Sequence, residues 1–308
     1  MYKLTFKGLY NIFKLAFKEF KQNEPLRLAG ATAFFTTFAL PPILIILVQI
    51  IGLVFRKEGI SNNFFIALTR ILGKQGAAQI QVTFKGFTSL AKNGFVAVGG
   101  FLFLLFVATT LFKVIKDSMN QLWKVKLRDN KAADQLKGRM TSLVIILIAG
   151  FLFVAALLAE GAEAFLHRYT GSWHTLTGSF INILLNQLIS VIIVTIWFTV
   201  LFKMLPDAKV SWRVSITGGL VTGLLFSAGK ILIRTMLTAG NLSTIFGASS
   251  SIVLLLLFVF YCSFILYFGA CFTKVYAEYV QDPIKAANHA IAYKLVEVSS
   301  SENDINAD

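Results

Sequence analysis

The sequence predicts an all-α fold: a polytopic membrane bundle of six transmembrane helices with both termini in the cytoplasm. Three observations predict it. Of 308 residues, 56% are hydrophobic and only 14% are charged, where a soluble domain carries roughly a quarter charged. Apolar runs near the roughly 20 residues that cross a bilayer as a helix recur six times, at about 31–54, 94–114, 142–163, 180–202, 214–237 and 251–273. Lys and Arg crowd alternate connections, as the positive-inside rule requires. The net charge of +14 therefore reads as basic cytoplasmic loops, not as a nucleic-acid surface.

Residues 1–30 form a cytoplasmic segment with an amphipathic helix. Lys7, Asn11, Lys14, Lys18 and Lys21 share one face; Phe6, Leu9, Tyr10, Phe13, Phe17 and Phe20 make the other. Such a helix suits the surface of an anionic leaflet. Nothing here has the compact uncharged run of a cleavable signal. Asn23-Glu24-Pro25 ends the helix, because a residue before proline avoids helical dihedrals. Pro41-Pro42 in the first span removes two backbone donors and predicts a kink.

The connection 55–93 is outside. It is long, and its pieces 63–72 and 77–91 read as amphipathic helices. Segment 1–30 holds six cations, 113–141 holds eight, and 203–213 and the tail hold three each. The outer connections hold six, one and none. Cys262 and Cys271 point to opposite sides of the sixth span, so they are apolar filler and not a redox pair. The tail, 274–308, is cytoplasmic and ends in a polar, acidic, disordered stretch.

Several motifs are familiar. They are Ala29-Gly30-Ala31-Thr32-Ala33-Phe34-Phe35 leading into Leu40-Pro41-Pro42, Asn120-Gln121-Leu122-Trp123, the run from Leu205 to Trp212, Phe246-Gly247-Ala248-Ser249-Ser250-Ser251, and Gly269-Ala270. In this order the chain resembles the YihY/BrkB family of bacterial six-span inner-membrane proteins. The resemblance implies an inner-membrane location and a link to envelope integrity. It brings no settled reaction or substrate.

The fifth span carries the residues that need explaining. Gly219, Gly223, Ser227, Lys230 and Arg234 fall on one helical face, small at one end and cationic at the other. A lysine inside a span costs about 3 kcal/mol unless it faces protein or water. The chain's direction puts Glu160 and Glu163 of the third span, Asn182 and Asn186 of the fourth, and Gln49 of the first at the same outer depth. Asn182, Asn186 and Ser190 share a face. The expectation is a polar layer in which Glu160 or Glu163 neutralises Lys230 or Arg234. It is either a substrate site or a structural clasp.

The chemistry of an enzyme is missing from the sequence. His167, His174 and His289 are scattered, with no metal-binding spacing. There is no phosphate-binding glycine loop and no nucleophile elbow. The reading is a non-enzymatic protein with no cofactor and no metal. It handles an amphiphilic or anionic lipid-like substrate through an outward-facing polar cavity; the alternative is a membrane scaffold. Its partner is the bilayer, with no nucleic acid, and the Gly219/Gly223 pair admits a homo-oligomer.

Overall fold

The computed structural model describes residues 6–55, 94–128, 136, 139–141, 143–148, 151, 176–239 and 250–296. Among these, the named helices are α1 (Phe6–Gln22), α2 (Pro25–Phe55), α3 (Gly94–Leu122), α4 (Leu176–Met204), α5 (Trp212–Ala239) and α6 (Ser250–Tyr279). Helices α2 to α6 cover five of the expected spans. Most of the third span and the connection 55–93 lie outside the described residues. One described stretch, Leu256–Tyr279, meets a strict test of length and apolarity for crossing a membrane.

Neighbouring helices follow the order α3, α2, α6, α5, α4, with α1 laid along α6. Helix α5 sits between α4 and α6 because its small residues allow close approach. A Cβ on Gly223 would stand 2.7 Å from Thr195 Oγ1, and one on Gly219 would stand 2.8 Å from the Thr199 backbone nitrogen. On the other side, Gly218 packs against Thr273 of α6, and Thr222 against Gly269. The bundle's outer surface stays apolar at helical spacing. Leu188, Ile192 and Ile196 of α4 are exposed, as are Ile216, Leu220 and Leu224 of α5. Stripes of this kind suit hydrocarbon and are costly in water.

Helix α1 does not lie apart from the bundle. Ile12, Ala16 and Phe20 are buried at four-residue spacing. Phe20 meets Phe264 edge-on at 4.7 Å between centroids, and Phe13 lies 5.0 Å from Phe272. Lys274 pairs with Glu19 at 3.0 Å. Its lysines remain outside beside exposed Tyr10 and Phe17. The break after α1 falls where the sequence puts it: Glu24 takes a positive φ of 51° and Pro25 begins α2. Helix α2 runs unbroken through Pro41-Pro42.

Two features add to the sequence reading. The fold is not wholly helical: β1 (Val125–Leu127) pairs antiparallel with β4 (Ala290–Ala292), and β2 (Ala208–Lys209) pairs with β3 (Lys285–Ala286). The segment after 273 is structured as far as residue 296, and the final stretch that the sequence reads as disordered lies outside the described residues. Helix α6 continues to Tyr279, ends with Gln281 at φ 58°, and the chain turns back into β3 and β4. These ladders close one end of the bundle, called here the junction end.

Candidate functional site

The fifth-span face is only partly as expected. Lys230 Nζ donates to Ser190 Oγ of α4 at 3.3 Å, joining two polar faces that the sequence placed at one depth. Its side chain is exposed. It stands about 27 Å along α5 from Trp212 at ~1.5 Å per residue. Gln49, Asn182, Asn186 and Arg234 stand on α2, α4 and α5, with their side chains outside the described residues. Glu160 and Glu163 also lie outside the described residues.

The junction end holds a cluster that the sequence reading did not single out. Two of the familiar motifs meet there. Asn120 Nδ2 donates to Asp207 Oδ2 at 2.8 Å, and the Asp207 backbone N–H returns a bond to Asn120 Oδ1 at 2.9 Å. Lys116 Nζ and His289 Nε2 each lie 2.8 Å from Asp207 Oδ1. The Ala287 N–H donates to the Asp207 carbonyl at 3.0 Å. Asp207 is 5% exposed. Burial raises the Asp207 pKa, but the bonds from Lys116, His289 and Asn120 outweigh it and hold the carboxyl below its ordinary value. A carboxylate so engaged is a tie, not a base.

Trp123 is buried, and its indole N–H donates to the Ala270 carbonyl at 2.9 Å. The family-like stretch Asn120–Trp123 therefore grips both the α4–α5 loop and α6.

Beside this tie opens a cleft of about 830 Å³. Its lining brings Arg27, Lys113, Lys116, Lys124, Lys126 and Arg139 together against Glu24 and Asp117. Two of the cations are spent, since Arg27 pairs with Glu24 and Lys116 with Asp207. Among the described residues, no carboxylate lies within 4.0 Å of Lys113, Lys124, Lys126 or Arg139. Lys124 donates to Asn23 Oδ1 at 2.8 Å; burial, and then the Lys274 charge, lower its pKa. Arg139 lines the cleft beside Thr109. Its Nη1 donates to Thr109 Oγ1 at 2.8 Å, and its guanidinium lies over the Phe106 ring at 4.5 Å. Among the described residues no group of three His, Cys, Asp or Glu side chains is placed to hold a metal ion.

The sequence pattern of the virulence factor BrkB family matches residues 16–292. The chain belongs to the virulence factor BrkB family. Its curated relatives include UPF0761 membrane proteins. That of Teredinibacter turnerae is 23% identical over 271 residues, covering 88% of this chain and 61% of the relative. That of Pseudomonas paraeruginosa is 26% identical over 249 residues, covering 79% and 57%. The chain spans about three fifths of the length of these relatives. No solved structure matches it. The BrkB family match runs to the end of β4 and so includes Asp207, His289 and most of the cleft lining. The signal that could have found the tie was Asp207 itself, an acid inside a familiar motif. Its partners lie 87 and 82 residues away in sequence, which no periodicity reports.

Proposed function

We propose that this BrkB-family membrane protein handles an amphiphilic or anionic lipid-like substrate of the bacterial envelope and catalyses no reaction. In this reading it is a multi-pass protein of the inner membrane with the junction end and both termini in the cytoplasm, as the loop charges suggest. The observation that carries the reading is the junction-end cleft, where four cations lack a carboxylate partner among the described residues. Concentrated positive potential in a concave site attracts a multivalent anion. The weight thus moves from the outer layer around Lys230 to the opposite end.

A melting experiment on the detergent-purified protein tests this. Inorganic pyrophosphate is expected to raise the melting temperature by a few degrees, through binding to the folded state. The double variant Lys113→Gln, Arg139→Gln is expected to lose the shift. A melting temperature indifferent to pyrophosphate in the wild type overturns the reading.

The scaffold alternative draws on a different observation. Glycines of α5 pack on threonine backbone of α4, and Asp207 ties three segments together. The outer layer separates the two. An Asn186→Cys protein that reacts with a small water-soluble thiol reagent from outside has a wet layer there. An unreactive cysteine returns that layer to packing alone.

A further inference from the structure

One face of α3 joins the cleft to the membrane. Thr109, Lys113, Lys116 and Asn120 follow at spacings of four, three and four along the helix, so they share a face. The same row continues toward mid-membrane as Phe106 and Leu102. All of the lining side chains on this row face the cleft. Leu102 and Phe106 are 60% and 56% exposed, with Phe103 beside them at 64%. Arg139 stands where the two halves meet, bonded to Thr109 and stacked on Phe106. The face is therefore cationic at the junction end and apolar beyond it, with a cation at the boundary.

We propose that the cleft takes the anionic headgroup of a membrane lipid drawn sideways from the adjoining leaflet, with an acyl chain lying along Leu102 and Phe106. This rests on the anion-handling reading above and names its ligand class: a phospholipid of net negative charge, not a soluble phosphate compound. Charge complementarity selects the headgroup. Lys113, Lys124, Lys126 and Arg139 offer ammonium and guanidinium donors that the described carboxylates leave unclaimed. Arg139 suits a phosphate through its planar fork. The apolar strip selects the chain, because hydrocarbon beside Phe106 continues in register with a headgroup held above Thr109. A soluble anion uses the first half of this surface and gains nothing from the second.

The test uses the full chain in nanodiscs of equal phosphatidylglycerol and phosphatidylcholine, followed by native mass spectrometry of the lipid retained after detergent release. Wild type is expected to retain phosphatidylglycerol over phosphatidylcholine. Lys113→Gln removes an exposed cation with no ion pair among the described residues, so folding is not at stake. It is expected to lower that retention about fivefold, the worth of one cation near an anionic lipid. Leu102→Ala, which leaves the Phe106–Arg139 stack in place, is expected to lower it as well, while leaving a pyrophosphate-induced melting shift intact. Equal retention of the two lipids overturns the proposal. So does a Leu102→Ala protein that retains phosphatidylglycerol like wild type. If pyrophosphate still stabilises the protein in either case, the anion reading stands and only the lipid is wrong. If pyrophosphate also fails, both fall.

Discussion

Asp207 concentrates the consequences of single residues. Its carboxylate accepts from Lys116, Asn120 and His289 in a site with almost no solvent. Asp207→Asn keeps the shape and removes the charge, leaving the Lys116 ammonium, itself 14% exposed, without its partner. Breaking one side of a buried pair costs roughly 3 kcal/mol, so thermal unfolding of this variant is expected well below wild type. An unchanged melting temperature contradicts the tie. The pH dependence follows from the same group. Its folded pKa lies below the ordinary 3.8, so its contribution is complete above that value. The contribution is lost as pH falls through the depressed folded value. Melting temperatures of wild type and Asp207→Asn are expected to stay fully apart above pH ~3.8 and to converge as pH falls through the lower folded value.

Helix α5 is where the elements depend most on small side chains. Gly223→Val sets branched atoms against Thr195 Oγ1 and its backbone, 2.7 and 3.2 Å from the new Cβ. Overpacking of this kind costs about 1–3 kcal/mol, read as a fall in melting temperature and folded yield. Gly30→Ala in α2 is the control. A Cβ there meets nothing within 4 Å, and alanine favours a helix interior by roughly 0.5–1 kcal/mol, so it is expected to be neutral or stabilising. This packing was legible in the sequence, because Gly219, Gly223 and Lys230 fall on one face and face choice is a local property. The amphipathic pattern of α1 was legible too. What it packs against was not: Phe20 and Phe13 are satisfied by phenylalanines of α6, more than 240 residues on, and periodicity names a face without naming its partner.

At the scale of the molecule, the apolar runs foretold five of the helices because each run reports its own burial. The junction was hidden for the opposite reason. Its cleft is assembled from the α1–α2 turn, the end of α3, Arg139 and the residues after β4. No single segment carries the pattern. Strands of two and three residues leave no alternation to read. The 280–296 segment belongs to this architecture, since β3, β4 and His289 hold the α3 end and the α4–α5 loop. Deleting the chain after Tyr279 is expected to destabilise the whole bundle, as judged by detergent melting. A truncated protein as stable as wild type contradicts a structural role for the ladders.

The most direct measurement is an experimental density map of the full chain in nanodiscs containing phosphatidylglycerol. The account predicts a phosphate in the junction-end cleft, within about 4 Å of Lys113 and Arg139, its chain running past Phe106. A cleft holding only water, with lipid phosphates confined to the surrounding belt, contradicts it.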